Sequence, residues 1–360
     1  MNRIVFHCDI DCFFAAVEIR DNLEYKNKPV IIGADPKLGK GRGVVSTCSY
    51  EARKFGLHSG MPISQAYQNC PHGIYLRPNF EKYSEASKIV MEIISLYSED
   101  FQQVGFDEAY LEMTNICVNF NDAKIIAEKI QNEVSEKVGI TISIGIAPTK
   151  SLAKIATDVN KPKGITIFTP ENFKDFLKDM DVTKISGIGK KSKIYYNKKG
   201  FVKISDILSV PLVKMIELFG KHGEWVWKVV NGLDNRKIKE FDASRKSISK
   251  ERTFFEDTND FNFIFSKIIE LNDKTNKTIK KHNLSFKTIS LKIRFERFKT
   301  YTRSKTLSFP IQDKDKVIEV ILELYNEFSK FKEKVRLIGI KLSNLEEYLK
   351  NKQTTLMNYA

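Results

Sequence analysis

Carboxylates set into apolar runs constrain this chain more than any other feature. Ile4-Val5-Phe6 leads into His7-Cys8-Asp9-Ile10-Asp11, and Gly105-Phe106 leads into Asp107-Glu108-Ala109-Tyr110-Leu111. Both stretches read as buried strands. A buried, unpaired carboxylate is costly or takes up a proton, so such residues persist mainly where a cation neutralises them. Three hard oxygen donors suit Mg²⁺, which takes a few carboxylates together with the oxygens of a phosphate substrate. The pattern points to two-metal phosphoryl chemistry. Neighbours in a straight strand face opposite ways, so Asp107 and Glu108 share a site only if the backbone bends, and Gly105 is placed to bend it.

The charge balance agrees with a phosphate-rich partner. Against 45 Asp and Glu the 360 residues carry 59 Lys and Arg, a formal charge of +14, and that surplus favours polyanions. A membrane is the weaker candidate. No apolar run approaches the roughly 20 residues of a spanning helix, and Arg3 and Asp9 stand where a signal peptide would be apolar. Cys8, Cys12, Cys48, Cys70 and Cys117 form no Cys-x-x-Cys pair and read as reduced core thiols of a cytoplasmic protein. The five histidines are scattered, which supports neither a zinc site nor a histidine triad.

Residues 1–35 read strand, helix, strand. Asp11 stands where the helix N-cap belongs, and capping rather than metal binding is the expectation for it. A glycine-rich loop at 35–43 precedes a strand at 43–47 and a short helix from Ser49 to Phe55, closed by Gly56. Helical spacing covers 83–97 and 121–137, with strands at 110–113 and 141–147. This mixed order predicts an α+β domain with helices on one face of a sheet. Residues 170–235 are mostly helical. From Arg236 to Lys305 there are 19 Lys and Arg against 9 Asp and Glu, an excess concentrated in one region. Within it Ile289, Leu291, Ile293 and Phe295 alternate with Ser290, Lys292, Arg294 and Glu296, a strand with one core face and one mostly positive face. A helix at 315–329 and a strand at 335–342 complete a second small α+β unit.

Gly187-Ile188-Gly189-Lys190-Lys191-Ser192 has the look of a P-loop but lacks its glycine spacing. The better reading is the hairpin of a helix-hairpin-helix, whose glycines let backbone amides approach a DNA phosphate; a plain helix cap is the alternative. Tyr50 and Arg53 are three apart on one helical face, a pair suited to clamping a triphosphate.

With these residues the chain resembles the Y-family translesion DNA polymerases, DinB branch. The resemblance is carried by Asp9-Ile10-Asp11-Cys12-Phe13-Phe14-Ala15-Ala16-Val17-Glu18, Tyr50-Glu51-Ala52-Arg53-Lys54-Phe55-Gly56 and Asp107-Glu108-Ala109-Tyr110-Leu111. Lys150-Ser151-Leu152-Ala153-Lys154-Ile155-Ala156 and Asn160-Lys161-Pro162-Lys163-Gly164 extend it. It implies a right-hand α+β multidomain polymerase. The palm would be 1–20 and 80–167, the fingers 21–79, and a helix-hairpin-helix thumb 168–235. A linker at 236–245, a little finger at 246–345 and a tail at 346–360 would follow.

The same resemblance implies site roles. Asp9, Asp107 and Glu108, with the Ile10 carbonyl, would hold two Mg²⁺ ions. Cys12, Phe13, Phe14, Thr47, Tyr50, Arg53 and Lys161 would bind the dNTP, with Phe14 as the steric gate against a ribose 2′-hydroxyl. Gly187, Gly189, Lys190, Lys246 and Arg252 would meet DNA. Lys292, Arg294, Arg303 and Lys305 join them as phosphate contacts on charge and alternation alone. The implied partners are primer-template DNA and dNTPs, bound by a monomer without a membrane and without a proofreading domain. The tail, with Gln353, Leu356 and Tyr359, resembles a sliding-clamp peptide, although Ala360 replaces its last aromatic. Gly105-Phe106 stands where a serine and a branched aliphatic usually precede the acid pair, and Val44 and Ser46 stand where small residues face the templating base. A non-catalytic DNA-binding scaffold would need no buried acids, and a nucleotidyl cyclase would need neither the thumb nor the basic C-terminal unit.

Overall fold

In the computed structural model the described residues are 2–238 and 245–348, and the chain divides after residue 241 into two compact units. The tail residues Gln353, Leu356 and Tyr359 lie outside the described residues. No described helix is long and apolar enough to cross a membrane.

The first unit opens with β1 (Val5–Ile10), α1 (Phe13–Asp21), β2 (Val30–Gly33), β3 (Val45–Cys48), α2 (Tyr50–Arg53), α3 (Ile63–Asn69) and β4 (Ile74–Leu76). It continues through α4 (Phe80–Ser95), β5 (Phe101–Val104), β6 (Glu108–Glu112), α5 (Phe120–Val138), β7 (Ile142–Ala147), α6 (Lys150–Thr157) and β8 (Ile165–Ile167). One sheet has the order β5-β6-β1-β7-β8, and a separate small sheet has the order β3-β2-β4. The helix starts are written locally. Asn79, Asn119 and Thr149 each accept a first-turn amide with their side chains, and Gly139 ends α5 in the left-handed region.

Strand alternation decides what each face of the large sheet meets. Ile4, Phe6, Cys8 and Ile10 join Ala109, Leu111, Ile142, Ile144 and Ile146 in one core, packed with residues of α4 and α5. Val5, Tyr110 and Ala147 turn to the other side, into a core with Leu152, Ala153 and Ala156 of α6. The sheet is therefore covered on both faces here, not on the single face expected from the element order. Gly145 makes this possible. A Cβ on it would lie 2.0 Å from the Ala153 carbonyl oxygen and 2.4 Å from the Thr157 amide nitrogen, so α6 rests directly on the β7 backbone.

The helices α7 (Phe173–Leu177), α8 (Lys190–Lys198), α9 (Ile204–Leu208) and α10 (Leu212–Val230) complete the first unit. Gly220, at φ 60° and ψ −144°, breaks α10 into two segments.

The second unit contains β9 (Ser247–Thr258), α11 (Phe261–Lys281), β10 (Leu284–Phe295), β11 (Thr300–Ile311), α12 (Lys314–Asn326) and β12 (Val335–Glu347). Its sheet order is β11-β10-β12-β9. Ile289, Leu291, Ile293 and Phe295 are fully buried with Ile338, Ile340, Ile264, Ile268 and Val320, as the alternation anticipated. Ile264, Ile268, Leu271 and Ile279 recur at helical spacing and mark the buried face of α11, which they share with Asn272, Thr275 and Asn276. The Asn272 amide donates to the Lys314 carbonyl at 2.9 Å, while Asn276 Oδ1 is buried without a hydrogen-bond partner among the described residues.

Candidate active site

The acid residues meet because β1 and β6 run antiparallel with Asp9 directly opposite Glu108, and opposed residues share a face. The Ile10 amide donates to the Asp107 carbonyl at 2.9 Å, which extends the pairing past the end of β6. Gly105, at φ +74°, opens the turn between β5 and β6, and Val104 pairs with Glu108 across it. Asp107 belongs to that turn, not to the straight strand, so it is free of the alternation that would send it to the opposite face.

The same face carries His7, two residues before Asp9. Its Nδ1 lies 2.9 Å from Thr157 Oγ1 and its Nε2 3.4 Å from Glu108 Oε2. From α6, the Lys154 ammonium donates to both Glu108 carboxylate oxygens at 2.5 Å. Lys161 Nζ bridges Asp9 at 2.8 Å and Asp158 at 2.9 Å.

Burial pushes the Asp9 carboxyl up to about 7 against the pull of Lys161. Burial and the neighbouring Glu108 charge raise Asp107. For Glu108 burial acts upward as well, but hydrogen bonding to His7 and Lys154 outweighs it and holds the carboxyl at about 2. Three carboxylates and a backbone carbonyl at a strand end are hard oxygen donors, chemically suited to Mg²⁺ or another hard divalent ion. As they stand, no three His, Cys, Asp or Glu side chains among the described residues are disposed to grip a metal together; Glu108 and Asp9 are turned onto lysines.

Asp11 does not cap α1, contrary to expectation. It is buried and accepts from Thr141 Oγ1, Ser143 Oγ and the Lys163 amide at 2.8 Å each, and from Tyr50 Oη at 3.3 Å. Hydroxyls on β7 offer it more donors than the helix end does. The N-cap is Cys12, left-handed at φ +40° and without a side-chain cap, so the first amides of α1 have no acceptor within the helix. Phe14 stacks on Tyr83 at 4.4 Å and meets Phe106 edge-on at 6.3 Å, which puts it beside the turn that carries Asp107. The Arg53 guanidinium lies 4.7 Å over the Tyr50 ring. Thr47 lies on β3 opposite Ile32.

Other expected contacts lie on separate surfaces. Exposed Gly187 (φ +104°) and Gly189 flank buried Ile188 just before α8, which begins at exposed Lys190. In the second unit Lys246 and Arg252 are exposed. Lys292 lies opposite Gly339 and Thr302, on the open face of the sheet, and Arg294 follows it two residues on. Arg303 and Lys305 do not share that face. They lie opposite Leu291 and Ile289 and pair with Glu327 at 2.7 Å and Glu323 at 2.5 Å. The charge count of the sequence grouped these four, and only the β10–β11 register separates them.

Two family matches cover most of the chain: the impB/mucB/samB family over residues 8–158 and its C-terminal domain over 245–356. DNA polymerase IV 2 of Methanosarcina mazei is 44% identical over 345 residues, 96% of this chain and 93% of that relative. DNA polymerase IV of Streptococcus pneumoniae serotype 4 is 39% identical over 95% of this chain and 97% of its own length. A Y-family polymerase chimera of Dbh and Dpo4 superposes with a TM-score of 0.85 at 31% identity, covering 96% of this chain and 99% of the chimera.

The chain belongs to the DinB-type Y-family DNA polymerases.

This polymerase is a DNA-directed enzyme of translesion synthesis. An insertion ternary complex of Dbh DNA polymerase, 29% identical with a TM-score of 0.63, covers 96% of this chain and 99% of Dbh. Sequence reasoning passed over His7 and Lys154, although the signals were present. His7 stands two residues from Asp9 and so shares its face. Lys150, Lys154 and Thr157 stand at helical spacing on one side of α6, and Lys150 lies 4.6 Å over the Tyr110 ring.

The Asp9 shift has a sign that stability can read. Its folded carboxyl titrates near 7, above the ordinary 3.8, so the charged form is less favourable in the folded protein than in the unfolded one. The penalty is full above pH 7 and absent below about 4. Without metal at pH 8, Asp9→Asn should melt roughly 2–5 °C above the parent, the gap closing as pH falls toward 4. Thermal unfolding followed by circular dichroism checks this; an unchanged or lower melting temperature at pH 8 would contradict it.

Proposed function

We propose that Asp9, Asp107 and Glu108 are the catalytic metal ligands of this polymerase, with the Ile10 carbonyl beside them and two Mg²⁺ ions as the cofactor. The observation that carries this reading is the face-to-face register of Asp9 and Glu108, with Asp107 on the adjoining turn. Bound there, the divalent ions would activate the primer 3′-hydroxyl and offset charge on the α-phosphate. The protein's own part is positioning and charge neutralisation, without a covalent nucleophile.

The amides of Cys12 and Phe13 would receive the triphosphate, at a helix start that favours anions. Tyr50, Arg53 and Lys161 would neutralise its outer groups, with Thr47 alongside. Phe14, held by Tyr83 and Phe106, would close the space that a ribose 2′-hydroxyl needs. The chain would be divided as palm (1–20 and 80–167), fingers (21–79), thumb (168–235), linker (236–245) and little finger (246–345). Gly187, Gly189 and Lys190 of the thumb would approach a phosphate. In the little finger, Lys292 and Arg294 on the open face would do the same, together with Lys246 and Arg252. Lys292 would reach DNA only by leaving Glu251, and Arg303 and Lys305 only by leaving Glu327 and Glu323.

The enzyme would work as a monomer in the cytoplasm, a setting supported by five free cysteines, and without a proofreading exonuclease. Its tail would bind a sliding clamp through Gln353, Leu356 and Tyr359.

Primer extension with Mg²⁺ and dNTPs, on intact and abasic templates, tests the centre of this reading. Asp107→Ala or Glu108→Ala should reduce nucleotide addition by at least about 10³-fold while primer-template binding persists; retained synthesis would remove the ligand assignment. Phe14→Ala should admit ribonucleotides, and unchanged sugar discrimination would move the gate elsewhere. Deleting 353–360 should abolish stimulation by a clamp without lowering intrinsic extension. Stimulation that survives the deletion would exclude the tail.

A further inference from the structure

The carboxylates of this site are balanced before any metal arrives. Lys154 donates to both oxygens of Glu108 at 2.5 Å, and Lys161 holds Asp9 at 2.8 Å. The two lysines are not equivalent. Lys161 has a second carboxylate, Asp158, at 2.9 Å, and can keep a partner when Asp9 is taken from it. Among the described residues Lys154 forms its ion pair with Glu108 alone. Lys154 rises from α6, whose backbone is fixed against Gly145 and whose first turn is capped by Thr149. The side chain can move while the helix stays. It is one-third exposed, at 32%, so water is available to receive the ammonium when it lets go.

A lysine that engages both oxygens of a carboxylate covers the lone pairs a metal ion would use. Two cations cannot share them without strong mutual repulsion. This explains how the donor set can suit a hard divalent ion although no three ligands among the described residues converge on one point.

We propose that Lys154 is a resident counter-cation for Glu108 that a divalent metal has to displace, so that it sets the metal concentration at which the active site assembles. The inference rests on the assignment of Asp9, Asp107 and Glu108 as ligands. In the metal-free enzyme Lys154 holds both Glu108 carboxylate oxygens. On loading it yields Glu108 and turns to solvent. It acts through Glu108 and is a positioning residue.

The full-length enzyme, without DNA or nucleotide, is titrated with Mn²⁺ while the free ion is followed by electron paramagnetic resonance. Lys154→Met removes the competitor and should lower the half-saturating Mn²⁺ concentration about ten-fold, the equivalent of one charge-assisted hydrogen bond. Lys154→Arg keeps the charge and adds a planar fork that fits the carboxylate better, so it should raise that concentration. Opposite shifts from two substitutions at a partly exposed site are not what a general loss of folding produces, and circular dichroism verifies that both variants are folded. Unchanged or weaker Mn²⁺ binding in Lys154→Met would overturn the proposal, as would a raised KM for dNTP with unaltered Mn²⁺ binding, which would make Lys154 a triphosphate contact. Asp107→Ala separates the two levels. Loss of Mn²⁺ binding there upholds the ligand assignment whatever the Lys154 variants do, and binding that survives it overturns assignment and inference together.

Discussion

Like charges crowded at one end of a sheet have to be neutralised, and much of the first unit is arranged around that requirement. Asp9 and Glu108 face each other across β1 and β6, with Asp107 on the adjoining turn. Partial burial raises the cost of each charge and pushes Asp9 and Asp107 upward. Glu108 escapes this because His7 on β1 and Lys154 from α6 both bond to it. Asp9 is held by Lys161, so the two facing carboxylates are each met by a lysine.

The delivery of Lys154 depends on a backbone contact. Gly145 lets α6 lie directly against β7, on the face of β1 that carries His7 and Asp9. The opposite face of β1 is apolar and enters the core with α4 and α5. A single six-residue strand thus divides its side chains between packing and chemistry, as the period of two requires. Asp11 lies past the strand's end and serves neither purpose in the expected way. Held by Thr141, Ser143, Lys163 and Tyr50, it ties the start of α1 to β7 and to the Tyr50–Arg53 pair.

The second unit treats its charges differently. Lys292 lies on the open face of the sheet, opposite Gly339 and Thr302, and pairs there with Glu251 at 2.6 Å. Arg303 and Lys305 lie on the helix-bearing side of an edge strand, neutralised by α12. An ion pair with an exposed carboxylate is weak, but it competes with a phosphate for the same cation. The net positive charge of this region therefore overstates the surface that faces a polyanion.

The sequence by itself determined the acid positions, the alternation of β1 and β10 and the family, because each is written in neighbouring residues. It did not reveal the role of Asp11, whose partners lie more than 30 residues away in the chain. The separation of Lys292 from Arg303 was equally hidden, since it follows from a cross-strand register that neither strand encodes alone. The meeting of Lys154 with Glu108 was decided by tertiary structure, through a glycine on a third element. Local periodicity places a side chain on a face; only packing decides which charge from elsewhere in the chain comes to stand opposite it.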